Sequence, residues 1–200
     1  MPKLPADRSP IAILTDFGYR DHYVGVMKGV IAKICPRASI IDLTHGIPPQ
    51  NVLAGALALQ QCVDFLPPRT IILAVVDPGV GTERRPIALE TKRGLRMVAP
   101  DNGLLSLAAK RAEIRRIVEL RSPRYWLPIV SASFHGRDIF APAAAWLSRG
   151  VPIAELGPVV QTMVELDVGV PLTKKPNELE GEIIYIDSFG NLITNISRTV

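Results

Sequence analysis

Apolar runs alternate with amphipathic stretches along the chain, and their periods define the expected elements. Ile11–Thr15 is a short, nearly all-apolar run ending in the turn Asp16-Phe17-Gly18, the pattern of a strand buried on both faces. Apolar residues then recur at Tyr23, Val26, Met27, Val30, Ile31 and Ile34. These i, i+3 and i+4 steps predict a helix, closed by Pro36. Ser39–Leu43 reads as a second strand ending in Thr44-His45-Gly46, and Pro48 and Pro49 break the chain before a second helix over Asn51–Phe65. Thr70–Val76 is a β-branched, apolar third strand that ends in Asp77-Pro78-Gly79.

This β-α-β-α-β order predicts an α/β fold: a parallel sheet with helices on both faces and right-handed crossovers. Beyond it the pattern changes. Pro86–Thr91 and Leu95–Val98 flank Lys92-Arg93-Gly94 as a hairpin, and Pro100-Asp101-Asn102-Gly103 is a turn launching a short helix through Lys110. Ile114–Leu120 is a further strand and Phe140–Ser148 an Ala-rich helix. Leu172–Asn177 is polar, contains Pro176 and reads as a linker. Glu182–Asp187 and Leu192–Ile196, joined around Ser188-Phe189-Gly190-Asn191, read as a hairpin. The expected organisation is an N-terminal α/β domain over 1–171, a linker over 172–180, and over 181–200 the incomplete start of a second, β domain. One hairpin is too little structure to be stable alone.

Composition narrows the class. With 48% hydrophobic and 21% charged residues in 200, the chain can build a core, which excludes disorder as its main state. No apolar run reaches the ~20 residues of a bilayer-spanning helix. Asp7 and Arg8 precede an apolar run of only Ile11–Leu14, unlike a signal peptide. A cytoplasmic protein with no membrane partner is expected. The net charge of +4 is scattered, with one loose basic region at Lys92–Arg96 and Lys110–Arg124. No aromatics interleave with it, so nucleic acid is not an expected partner. Cys35 and Cys62 lie in helix-like patterns without CxxC and read as reduced thiols.

Ligands of open parallel sheets bind at the carboxyl ends of the strands. Here those ends carry Asp16, then Thr44 and His45, then Asp77, then Asp101 and Asn102. Turn chemistry alone accounts for any one of them; three aspartates directly after buried strands favour a polar small-molecule site. Between Asp77 and Arg84, Gly79 and Gly81 allow close backbone approach. Arg84 can fold back across this loop, and such a pairing keeps a carboxylate ionised and oriented. The loop lacks GxxxxGK[ST] and is no phosphate loop. Phe134-His135-Gly136-Arg137-Asp138 adds a histidine in a turn ahead of a helix, a place for a functional imidazole or for a structural one. Asp16, Asp77, Asp101 and His135 are the set from which an oxygen-rich metal site could be built. No HExxH or HxH spacing supports one, and no metal is expected. There is no GxSxG elbow for a serine nucleophile.

Six motifs, running in order over nearly the whole chain, carry a family resemblance: TDFGYRD at 15–21, ICP at 34–36, VVDPGVGTERR at 75–85, APDNGLL at 99–105, FHGRD at 134–138 and DSFGNLITNI at 187–196. Together they resemble the adenosine-forming S-adenosylmethionine hydrolases, or SAM hydroxide adenosyltransferases, relatives of the adenosyl-fluoride and adenosyl-chloride synthases. The resemblance implies an N-terminal α/β domain followed by a β-barrel, here truncated. It also implies a homotrimer with sites between subunits when the second domain is complete. The implied reaction is displacement at ribose C5′ of S-adenosylmethionine with release of methionine, and no cofactor is implied because that molecule is the substrate. The halogenase branch has a tyrosine in place of Asp77 and a halide-holding serine in place of Gly136. Asp77, Arg84 and His135 match the triad of the water-using branch, which makes adenosine and methionine. By the same resemblance Asp16 holds the ribose hydroxyls, Asp21 lies near the methionine amino group, Asp187 holds that amine and Asn191 reads the adenine edge. Phe134 and Gly136 line the pocket. The choice between Asp77 and His135 as proton acceptor stays open, since coupled groups titrate together. Two other readings remain: a truncated, inactive or binding-only relative that binds adenosine or S-adenosylmethionine, and an unrelated metal-dependent hydrolase.

Overall fold

In the computed structural model, which describes residues 8–175 and 178–196, the apolar runs form the middle of one seven-stranded sheet. Strands β1 (Ile11–Thr15) and β3 (Ile71–Val75) are buried at every residue. With β2 (Ile40–Thr44), β4 (Pro86–Thr91), β5 (Arg96–Pro100), β6 (Ile114–Glu119) and β7 (Val159–Val160) they lie in the order β2-β1-β3-β5-β4-β6-β7. The pairs β1–β2, β1–β3 and β3–β5 are parallel, while β5–β4, β4–β6 and β6–β7 are antiparallel. Connection length explains the division. Helical crossovers join β1 to β2 and β2 to β3, whereas the short turn from β4 to β5 reverses the chain.

The helices α1 (Tyr23–Ile34), α2 (Val52–Cys62), α3 (Ser106–Ala112) and α4 (Ala141–Ser148) cover the sheet. Along α1 the buried residues are Val24, Met27 and Ile31. Met27 and Ile31 belong to the stripe that the periodicity predicts, whereas Val24 is buried in place of Tyr23, which is exposed. Met27 and Ile31 join α4 over Ile11, Ile13, Ile71, Leu73 and Val75 in one core. Ala141, Ala143, Ala144 and Ala145 are all fully buried, so α4 lies close to its neighbours. On the other face α2 presents Gly55, where an added Cβ would lie 2.7 Å from Leu104 Cδ1 and 3.3 Å from Val76 Cγ2. Asn51 caps α2 by accepting the Ala54 N–H at 2.9 Å. Both faces therefore carry helices, as the alternation predicts.

Several details differ from expectation. Strand β5 continues to Pro100, and α3 begins only at Ser106. A π-helical turn, Gly136–Phe140, precedes α4. The two-residue strand β7 carries no pattern long enough to be read from sequence. The compact unit that holds the sheet runs up to Glu165, and a second unit starts at Leu166. In that second unit Leu172–Lys175 (β8) and Glu178–Glu180 (β9), where a linker is expected, pair antiparallel. The ladder brings Lys175 opposite Glu178, with Nζ and Oε2 3.0 Å apart, so charges that suggest a solvated linker serve as a cross-strand pair. Ile183–Ile186 (β10) and Leu192–Thr194 (β11) form the expected hairpin. Residues 1–7, 176–177 and 197–200, which belong to the expected first domain, linker and second domain, lie outside the described residues. Among the described residues no helix is long and apolar enough to cross a membrane. Cys35 and Cys62 are free thiols, and burial pushes the Cys62 thiol pKa up.

Candidate active site

Strands β1, β2, β3 and β5 end on one edge of the sheet. From β1 the chain moves to one side to form β2 and to the other to form β3, so the strand order reverses between β1 and β3. Such a switch point leaves a crevice for a ligand. Thr15 pairs with Val75, which brings Asp16 and Asp77 to the two lips of that crevice. A cavity of about 240 Å³ opens there, lined by Asp16, Phe17, Pro49, Gln50, Val75, Asp77, Val80, Ser133, Phe134, His135 and Gly136.

Arg84 folds back as expected. Its Nε donates to Asp77 Oδ1 at 2.9 Å and Oδ2 at 3.1 Å, and its Nη2 donates to Oδ2 at 2.5 Å. The same Nη2 lies 2.8 Å from His135 Nδ1. The Asp77 and Arg84 side chains are only 6% and 9% exposed, so water does not compete for these bonds. The guanidinium also stacks over Phe140, 5.1 Å from the ring centre. Arginine can only donate, so His135 Nδ1 must accept, and the neutral ring carries its proton on Nε2. Burial, and after it the Arg84 charge, push the His135 pKa below the ordinary value of 6.5, against weaker upward pulls from Asp77 and Asp138.

Two glycines make this geometry possible. At Gly79 an added Cβ would lie 3.2 Å from Arg84 Cγ, on the path of the returning side chain. Gly81 has φ +77°, and a Cβ there would overlap the Ala132 carbonyl oxygen. The Asp77–Arg84 loop thus packs directly on the segment that leads to His135. That segment is held by buried Asp138, whose Oδ2 accepts from Ser131 N at 2.9 Å and Ser131 Oγ at 2.8 Å. Ser131 Oγ in turn accepts the Phe134 N–H at 3.1 Å. Burial works against ionisation of Asp138, but the Arg137 and Ser131 hydrogen bonds outweigh it and hold its carboxyl below the usual range. Phe134 forms one wall, edge-on to Phe17 at 5.7 Å and to Tyr23 at 5.1 Å. At Gly136 a Cβ would press on Phe134 at 3.1 Å and on Met27 Sδ at 3.3 Å.

Asp16, Asp77, Phe134, His135 and Gly136 are thus brought together, with Arg84 bridging two of them. Asp21 is exposed and outside the cavity lining. Asp101 is engaged elsewhere: Arg85 donates to its Oδ2, at 2.9 Å from Nε and 2.5 Å from Nη2, and its Oδ1 accepts the Val164 N–H at 2.7 Å. Asn102 donates to the Val76 carbonyl at 2.8 Å, tying the end of β3 to the next turn. These two residues latch the rim, and among the described residues no three His, Cys, Asp or Glu side chains gather as a metal site. In the second unit, Asp187 Oδ1 accepts the Phe189 and Asn191 N–H groups at 2.9 and 2.8 Å, and its Oδ2 accepts Asn191 Nδ2 at 2.7 Å. The Asn191 hydrogen bonds keep the Asp187 carboxyl below the usual range. Sequence reasoning missed Gln50, whose N–H donates to Asp16 Oδ2 at 2.7 Å from a left-handed backbone, φ +62°. Its only signal was the Pro48-Pro49 break beside it.

Fold and cavity define an α/β protein with a polar small-molecule site at the switch point of its sheet. Residues 11–157 match the SAM hydroxide adenosyltransferase N-terminal domain. A (R)-S-adenosyl-L-methionine hydrolase from Salinispora tropica is 46% identical over 185 residues, 91% of this chain and 70% of the relative. One of the same name from Thermus thermophilus is 43% identical over 197 residues, 94% of this chain and 75% of the relative. The crystal structure of an uncharacterized conserved protein from Thermotoga maritima superposes with a TM-score of 0.87 at 42% identity, covering 93% of this chain and 71% of that one. The chain belongs to the SAM hydroxide adenosyltransferase family.

Proposed function

We propose that this chain hydrolyses S-adenosyl-L-methionine to adenosine and L-methionine, with water displacing the sulfonium at ribose C5′. The observation that carries this reading is the single Arg84 guanidinium hydrogen-bonded to both Asp77 and His135 beside the switch-point cavity. The names of the relatives support it.

The water oxygen bonds to C5′ as the C5′–S bond breaks, and the bonding pair goes to sulfur. Methionine leaves as a neutral thioether, so the leaving group needs no acid. What remains is to hold the water in line and receive its proton. Arg84 occupies His135 Nδ1, and the other ring nitrogen carries a proton, so the neutral imidazole has no free lone pair. Asp77 faces the cavity as an acceptor and takes the proton, which then passes to solvent. His135 Nε2–H is a donor that orients the water or the developing 5′-hydroxyl. Asp16, its carboxylate steadied by Gln50 N–H, accepts from the ribose hydroxyls, and Phe134 closes one side of the pocket.

Asp21 and Asp187 at the methionine amine, and Asn191 at the adenine, are the roles that the motif resemblance supports. The same reading takes the hairpins after Glu165 as part of a barrel domain and the working form as a cytoplasmic homotrimer. Two free thiols fit that compartment.

Incubation with S-adenosylmethionine in ¹⁸O-water tests the reaction. Adenosine labelled at its 5′-oxygen, with methionine in equal amount, is expected from the wild type and not from Asp77→Ala. Unlabelled adenosine would overturn the water attack at C5′. Binding of adenosine without turnover would leave the binding-only reading.

A further inference from the structure

We propose that His45 is a positioning residue for Asp16, holding the Thr15–Gly18 turn through its imidazole and its backbone carbonyl together. The proposal rests on the reading that Asp16 takes the ribose hydroxyls.

His45 follows β2 and is 1% exposed, outside the cavity lining. A buried imidazole is costly unless both nitrogens are hydrogen-bonded. Here both are. Nε2 lies 3.1 Å from Asp42 Oδ1 and Nδ1 lies 2.8 Å from Thr15 Oγ1. Asp42 is itself anchored by Lys28 Nζ on its other oxygen at 2.7 Å. Burial raises the Asp42 pKa, but Lys28 and His45 outweigh it and keep the carboxyl below the usual range, an acceptor for Nε2–H. A chain of hydrogen bonds therefore runs from Lys28 through Asp42 and His45 to Thr15, the residue immediately before Asp16.

The backbone of His45 completes the hold. Its carbonyl accepts the Gly18 N–H at 2.7 Å, where Gly18 has φ +64°. Thr15 Oγ1 also accepts the Phe17 N–H at 3.3 Å. One residue thus fixes the chain on both sides of Asp16 and Phe17. The Tyr19 ring stands edge-on over the imidazole at 5.1 Å and covers it. With its backbone set from below, the Asp16 carboxylate needs only the Gln50 N–H to fix its direction. A network that merely supports the fold would be indifferent to the ligand. A positioning network acts only through the atoms that Asp16 binds.

The test compares adenosine with 2′,3′-dideoxyadenosine by calorimetry on the full chain, in wild type, Thr15→Val, Thr15→Ser and Asp42→Ala. Valine keeps the shape of the fully buried Thr15 and removes its hydroxyl. Expected are tighter binding of adenosine than of the dideoxy ligand by wild type, and a loss of about tenfold for adenosine alone in Thr15→Val, one hydrogen bond's worth. Thr15→Ser restores the affinity. Asp42→Ala, at the solvent end of the chain, reproduces the selective loss and serves if Thr15→Val does not fold. Equal losses for both ligands, or no loss for either, overturn the positioning role while the Asp16 reading stands. A wild type that binds neither ligand, or both alike, overturns the Asp16 reading and this proposal with it.

Discussion

Arg84→Met removes every donor that Asp77 and His135 share while keeping an unbranched apolar stem beside Phe140. In the native protein the guanidinium makes three contacts to the two Asp77 oxygens and a fourth to His135. Both members of the ion pair are more than nine-tenths shielded from water, so solvent cannot replace the lost donors. Removing one partner of a buried pair costs about 3–5 kcal/mol, because the other charge stays buried without compensation. For a chain of this length that is a fall of roughly 6–20 °C in Tm. Asp77→Leu added to Arg84→Met removes the stranded carboxylate, so the double variant should be more stable than Arg84→Met alone. The second readout is His135. The Arg84 charge is the second cause of its lowered pKa after burial, so the pKa should rise toward 6.5 in Arg84→Met. Thermal melts and an NMR titration of the His135 ring protons measure the two effects. A Tm drop below about 2 °C together with an unmoved His135 titration would refute the shared-guanidinium geometry.

Gly81→Ala should cost about 2 kcal/mol in urea unfolding, from a strained positive φ and the overlap with the Ala132 carbonyl; an unchanged midpoint contradicts that packing. Between the lowered folded pKa of His135 and 6.5, the unfolded chain binds a proton that the native chain does not. Stability therefore falls as pH drops through that window, and His135→Gln should remove this part of the slope. Protonation also breaks the Arg84 bond to Nδ1, so the acid limb of kcat/KM should lie below pH 6.5; a limb above it refutes the neutral ring. Asp138 has its folded pKa below 3.8, so its stabilisation is present above that value and is lost as pH falls through the folded pKa. The stability gap between wild type and Asp138→Asn should accordingly narrow in acid denaturation series, and a gap that widens there is the contrary result. Turnover should be unchanged by EDTA; a loss restored by a divalent cation favours the metal-dependent reading.

The sequence by itself determined the main strands and helices of the sheet unit, though not the short β7 or the π-helical turn before α4, and the edge on which a site forms. Buried strands must be apolar on both faces, and a covering helix must repeat its apolar stripe, so Ile11–Thr15, Ile71–Val75 and the Tyr23–Ile34 helix could be read from local pattern. The Asp77–Arg84 pair was readable for the same reason: a separation of seven positions with two glycines between is a local constraint. Which rim residues face the cavity was not local. Asp16, Asp101 and Asn102 have the same turn chemistry in sequence, yet Asp101 and Asn102 latch the rim through Arg85, Val164 and Val76, while Asp16 opens into the cavity. Gln50 reaches Asp16 from 34 residues away, and His45 reaches Thr15 from 30. Leu172–Lys175 becomes a strand only because Glu178–Glu180 offers it a partner. Periodicity records which face of an element is buried. It does not record which distant residue meets that face, because hydrogen bonds and ion pairs across the fold depend on where the packed core carries each backbone.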